Sequence, residues 1–386
     1  MFGLDRIDDY VNAAIANNFP KCCGVLVVHK GETVYEKYFG EQNKGVPLNK
    51  KSLFRLFSLT KPVTAAAVMK LLEDGKLELR YPLKWFINEF SEPMVLENDK
   101  LRPASRDITI ADLLTMQSGI PYPDGSPVGM KMGEIWGRQT ELLAAGKGIP
   151  TVEFAREMGK LPLCFDPGAK WAYGASADVL GAVVEVVSGM KFGDYLKKYI
   201  FEPLGMYDTG FFVPADKWDR LVTCHNFNNE TGENEEYTVN DLCIADRDVY
   251  PAFESGGAGL YSTLSDYTKF AKMLLGEGTA DGVRILGRKT VGLMREVMVG
   301  QDKLALAGWD SLLGHGYGAL MRVLTDRAAA GIIGSNGQFG WDGWLGCYLS
   351  VDPSEENALV MFINQTNSGC IDFTRKLENI VRSSIE

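Results

Sequence analysis

The spacing of apolar and polar positions changes character along the chain. Residues 24–39 are rich in β-branched and aromatic side chains on either side of Lys30-Gly31, and predict two strands joined by a tight turn. Over residues 58–74 the spacing becomes helical: Val63, Ala66, Ala67 and Leu71 recur along one face, and Asp74-Gly75 closes the segment. From about residue 86 to 290 helical and loop patterns dominate. The stretch from Thr109 to Thr115 begins as a capped helix. Ser176 is expected to cap another, carrying Val179, Leu180, Val183, Val184 and Val187 as far as Ser188-Gly189. Asn228 to Asp241 is acidic and polar, and predicts an exposed loop that is only weakly a substrate lid. Strand character returns near the C-terminus in Leu345 to Val351 and Ala358 to Asn364, separated by an Asp352-Pro353 turn, before a closing helix from Phe373 to Val381. Strands at both ends with helices between them predict an α/β domain built from residues 1–85 and 291–386. Residues 86–290 would be a mainly helical insertion.

Composition narrows the field. With 386 residues and 46% hydrophobic content, the chain can bury a large core. Its formal net charge of -10 repels nucleic-acid phosphates and anionic lipid, so neither is an expected partner. No apolar run approaches the ~18–20 residues that span a bilayer. Asp5, Asp8 and Asp9 fall where the apolar part of a signal peptide would lie, and a cytoplasmic location is expected. The cysteines, 7 in number, include no Cys-x-x-Cys and read as reduced, mostly buried thiols. His29, His225 and His315 show no zinc-like spacing, so neither a metal nor a cofactor is expected. The expected partner is a small ester or amide; the oligomeric state is not legible.

Three segments carry chemistry. Ser58-Leu59-Thr60-Lys61 is a Ser-x-x-Lys motif, weak alone because Ser188-Gly189-Met190-Lys191 repeats it. Context separates the two. Ser188 lies where a helix ends, at the unfavourable pole of its dipole for a developing anion, whereas Ser58 lies where a helix begins, with Pro62 tolerated in the first turn. Residues three apart share a helical face, so the Lys61 amine can reach the Ser58 hydroxyl and, once desolvated, take its proton. Tyr173 sits in a loop just before a helix and, near a lysine, can give or take a proton. In Gly340-Trp341-Asp342-Gly343-Trp344, just before a predicted strand, Gly343 allows close backbone approach. An N–H there can pair with that of Ser58 to bind an oxyanion. Taken singly, Tyr173 also fits a packing role and this last segment a glycine-rich hairpin with core tryptophans.

Together these segments resemble the class C β-lactamase-like serine hydrolases, a family that includes penicillin-binding proteins, D-aminopeptidases and carboxylesterases. The resemblance runs over nearly the whole chain: Leu53 to Ala66 around the first motif, Ile108 to Ile120, Glu202 to Thr209, and Ser255 to Thr263. It implies a β-lactamase/transpeptidase-like α/β (α+β) fold, with a mainly antiparallel sheet flanked by helices and a helical subdomain. It also implies an acyl-enzyme on Ser58, proton traffic shared by Lys61 and Tyr173, and an oxyanion hole from the N–H groups of Ser58 and Trp344. Trp341, Gly343 and Trp344 would line the substrate site.

Two departures redirect the expected substrate. Where the family typically has Tyr-x-Asn, this chain has Tyr173-Gly174-Ala175, and alanine offers no amide to a β-lactam. Where the third motif usually begins with Lys or His, Trp341-Asp342-Gly343 supplies no cation for a carboxylate, and Asp342 adds negative charge. A Trp-x-Gly third motif resembles the esterase branch. The expected activity is therefore carboxylesterase-like. The alternatives are a D-amino-acid peptidase or amidase, a β-lactamase or penicillin-binding protein, an acyltransferase, and a catalytically silent ligand-binding homologue.

Overall fold

The computed structural model describes residues 3–228, 230–245 and 249–385; Met1, Phe2, Asn229, Asp246, Arg247, Asp248 and Glu386 lie outside the described residues. One eight-stranded antiparallel sheet forms the centre of the molecule. Its strands are β1 (Cys22–His29), β2 (Glu32–Asn43), β3 (Val46–Pro47), β4 (His315–Tyr317), β5 (Arg322–Leu324), β6 (Phe339–Asp342), β7 (Tyr348–Asp352) and β8 (Asn357–Phe362). They lie in the order β4-β5-β6-β7-β8-β1-β2-β3. The predicted N-terminal hairpin is present, with Lys30 (φ 51°) and Gly31 (φ 81°) both left-handed, the geometry that joins twisted strands in two residues. Pairing of Leu26 with Val360 joins the two ends of the chain into one sheet.

Strands β1, β7 and β8 are buried on both faces, which is why they read as apolar runs rather than alternating ones. On one face Val25, Val27, Leu359 and Met361 pack against the first helix, α1 (Asp5–Ala16, through Ile7 and Val11), and the last, Asp372–Arg382 (through Phe373, Leu377 and Val381). On the other face Leu26, Val351, Val360 and Phe362 join the large core shared with Leu264–Leu275 and the helices between the two terminal segments.

Several local readings need correction. Gly340-Trp341-Asp342 lies within β6 rather than ahead of a strand, and the next strand begins at Tyr348, because Gly343 to Cys347 form the turn between them. Helix Ser176–Ser188 starts at Ser176, whose hydroxyl contacts the Ser118 hydroxyl at 2.8 Å and so does not cap the helix; the left-handed Gly189 ends it as expected. The Asn228–Asp241 region, apart from Asn229, is only partly a loop: Glu233–Glu236 pairs with His225–Asn228. Thr109 does cap Ile110–Leu114, in a reciprocal capping box with Asp112. Among the described residues no helix is long and apolar enough to cross a membrane.

Candidate active site

Phe54–Arg55 pairs with Tyr261–Ser262, and the Leu56 N–H donates to the Leu260 carbonyl at 2.9 Å, anchoring the chain just before Ser58. Phe57 then adopts φ 46°, unusual for a bulky residue and a form of local strain that concentrates at functional turns. Residues Phe57–Thr60 form a 3₁₀ turn, and the α-helix proper is Lys61–Glu73. The sequence pattern places its start at residue 58. The difference comes from Pro62, which has no N–H to offer the Ser58 carbonyl, so the Lys61 N–H closes the tighter bond instead. Ser58 is 8% exposed at the head of this helix and Lys61 is fully buried.

The Lys61 amine lies 3.1 Å from Ser58 Oγ, 2.8 Å from the Gly257 carbonyl and 3.2 Å from the Tyr122 hydroxyl. The Tyr122 hydroxyl donates onward to Asp178 at 3.2 Å, and Asp178 also accepts from Ser255 Oγ at 2.5 Å and the Gly257 N–H at 3.1 Å. The Tyr122 hydroxyl, Ser255 Oγ and the Gly257 N–H thus all donate to Asp178, which leaves the Tyr122 oxygen and the Gly257 carbonyl as acceptors for Lys61. Lys61 can therefore give its N–H bonds to Gly257 and Tyr122 and turn a lone pair toward Ser58 once neutral. Burial lowers its pKa from 10.5 to about 7, against the opposing pull of the Asp178 and Asp342 charges. Burial also raises the Asp178 carboxyl, while Lys61 and its hydrogen-bond donors pull it back.

Tyr173 is brought to the same point. Lys61 Nζ sits 4.5 Å from the centre of its ring, and the Trp341 indole N–H donates to its oxygen at 3.0 Å. Burial pushes the Tyr173 phenol up, while hydrogen bonds with Ser58 and Trp341 pull it back, so it is carried as the protonated phenol. Gly343 packs directly on the nucleophile turn: a Cβ there would lie 2.1 Å from the Leu56 carbonyl oxygen. That contact sets the start of the 343–347 turn against the Ser58 turn, and the Trp344 ring lies tilted against Phe57 with ring centres 5.4 Å apart. Among the described residues, no backbone carbonyl accepts from the N–H of Ser58 or of Trp344.

The structure thus brings Ser58, Lys61, Tyr173, Trp341, Gly343 and Trp344 together. Asp342 is different: the strand pleat turns it toward Arg322, with which it forms an ion pair, and toward the Cys370 N–H. Asp342 is therefore held by Arg322 and the Cys370 N–H and is not among the residues that line the cleft, while its charge still acts on Lys61.

Tyr122 and Asp178 were not picked out from sequence. Tyr122 follows the Ile108–Ile120 segment by two residues. Asp178 is a carboxylate on an otherwise apolar stretch of helix, itself an informative signal.

Beside Ser58 opens a cavity of about 600 Å³. Its walls are aromatic: Phe57, Tyr122, Trp136, Tyr173, Trp309 and Trp344. Asn240 and Asp241, read from sequence as the end of an exposed loop, also line it, as does the adjoining Leu242.

Known proteins share this architecture. Protein Rv1367c of Mycobacterium tuberculosis is 34% identical over 349 residues, covering 88% of this chain and 84% of its own length. Esterase EstB of Burkholderia gladioli is 29% identical over 391 residues, covering 94% of this chain and 91% of its own. The solved structure of EstCE1, described as a hydrolase with promiscuous acyltransferase activity, superposes with a TM-score of 0.79 at 24% identity, covering 99% of this chain and 97% of its own. The beta-lactamase family profile matches residues 15–378, and the chain belongs to that family.

Proposed function

We propose that this protein is a serine esterase that works through an acyl-enzyme on Ser58. The observation that carries the reading is the environment of Lys61: a fully buried amine, lowered to about pH 7, 3.1 Å from the serine hydroxyl and otherwise facing acceptors. Ser58 Oγ attacks the ester carbonyl as its proton passes to the neutral Lys61 amine. The N–H groups of Ser58 and Trp344 receive the oxyanion. Collapse expels the alkoxide, which takes a proton from Tyr173; the Trp341 N–H donated into the Tyr173 oxygen leaves its O–H free to do this. Lys61 then returns a proton to Tyr173, and water enters and repeats the sequence on the acyl-enzyme.

The ester preference rests on the cavity. Six aromatic walls suit uncharged apolar groups. Ala175 supplies no amide, and no lysine or arginine stands among the described lining residues to meet a carboxylate. Esterase EstB among the relatives points the same way.

Initial rates on p-nitrophenyl butyrate and on a chromogenic cephalosporin, for wild type and Ser58→Ala, test the reading. Fast ester cleavage, slow cephalosporin cleavage and loss of both in the variant are expected. Cephalosporin preference, or ester turnover that survives in Ser58→Ala, would overturn it.

A further inference from the structure

One wall of the cavity beside Ser58 carries a pair of glycines. Helix Pro127–Ala144 crosses it and presents Gly133, Trp136, Gly137 and Thr140, spaced so that they lie along one side of the helix. Glycine in a helix interior is unfavourable relative to alanine, so a glycine pair at i and i+4 calls for a reason. Conformation is not the reason, because neither glycine is left-handed. Close packing is not the reason either. A Cβ on Gly133 would meet only Pro123 Cβ, at 3.9 Å, and one on Gly137 would meet nothing within 4 Å. Gly343, by contrast, would clash with backbone at 2.1 Å. What Gly133 and Gly137 provide is space, and the space is the cavity that opens onto the nucleophile.

Phe57, Trp309 and Trp344 line the same cavity. The one charged side chain among the described lining residues is Asp241, which accepts from the Tyr237 hydroxyl at 2.9 Å. A slot with aromatic faces, a glycine floor and a single acid excludes anionic groups and has room for a bulky apolar one.

We infer that Gly133 and Gly137 are specificity-determining residues: they size the cleft for an uncharged ester carrying a bulky, branched or cyclic apolar group, and filling them restricts the enzyme to small esters. The inference rests on the esterase reading above. The bulky group can belong to the acyl or the alcohol side, and the test separates the two.

The experiment compares kcat/KM for wild type, Gly133→Leu, Gly137→Leu and Gly137→Ala on two series. One is p-nitrophenyl acetate, butyrate, octanoate and cyclohexanecarboxylate. The other is ethyl, hexyl and cyclohexylmethyl acetate, followed by acid release. Wild type is expected to cleave the bulky members at least as well as the small ones in one series. Each leucine variant is expected to lose about tenfold or more on those members while staying within about threefold on the smallest. Gly137→Ala, which favours the helix, should move the profile the same way by less and guards against a misfolded leucine variant. The series that responds identifies the side of the ester the floor receives. Turnover with unchanged size profiles in all variants would overturn this inference alone. No turnover of any ester by wild type, together with no labelling of Ser58 by a fluorophosphonate, would overturn the esterase reading and this inference with it.

Discussion

Replacing Asp178 by asparagine isolates the charge that works against the lowering of Lys61. The lysine reaches the Tyr122 oxygen at 3.2 Å, and that hydroxyl reaches the carboxylate at 3.2 Å. Ammonium and carboxylate are therefore no more than about 6 Å apart, and at an effective dielectric near 20 they attract by about 3 kcal/mol, or about 2 pH units. That attraction favours the protonated lysine, so removing it lowers Lys61 further below about 7. A base must be neutral to accept the serine proton, and the rate rises as pH passes upward through its pKa. The acidic limb of kcat/KM for a neutral ester should therefore move down by roughly 1–2 pH units in Asp178→Asn. Some stability is lost as well, because an amide cannot accept from Ser255, Tyr122 and the Gly257 N–H together. The assay is kcat/KM on p-nitrophenyl acetate across the acidic to neutral range, with Tyr122→Phe as a variant that keeps the charge. A limb that stays in place would mean Asp178 is held as the neutral acid. A limb that moves up would mean Lys61 is not the group that titrates.

Other perturbations probe other parts of the site. Burial lowers Lys61 from 10.5 to about 7, so between those values the unfolded chain holds a proton that the folded one has released, and stability rises with pH across that window. Lys61→Met removes the cost of burying the charge. Its gain in Tm over wild type should be larger at about pH 6, where the cost is on the order of 3–5 kcal/mol, than at about pH 10; equal gains at both would refute this. Gly343→Ala places a methyl 2.1 Å from the Leu56 carbonyl oxygen, and the forced separation of Trp344 from Ser58 should lower kcat about 100-fold or more. Near-wild-type kcat would show that this contact does not position the site. Trp341→Phe removes the N–H that donates to Tyr173 at 3.0 Å, and kcat should fall about tenfold with KM nearly unchanged. A change in KM alone would assign Trp341 to substrate packing instead.

What the sequence revealed follows the range of the interactions. Ser58 and Lys61 lie three residues apart on one turn, so their meeting is written in local spacing. Strands β1 and β8 are long apolar runs, and their pattern was legible. β4 and β5, three residues each, are too short to show a period; β5 exists because β6 offers it an edge, and β4 because β5 does. Tyr122 and Asp178 reach Lys61 only through tertiary packing, across 61 and 56 residues of chain in turn, and no periodicity reports that. Asp342 shows the opposite failure. Its charge was read correctly, but its direction was settled by strand alternation and by Arg322, itself in a strand the pattern did not reveal.

The proposed reaction passes through a covalent ester on Ser58. Rapid acid quench of the enzyme with p-nitrophenyl butyrate, followed by peptide mass spectrometry, tests it most directly. A butyryl adduct is expected on the peptide containing Ser58, formed before steady state and absent from Ser58→Ala. Turnover accompanied by an adduct on another residue, or by none under conditions where deacylation is slowed, would contradict it.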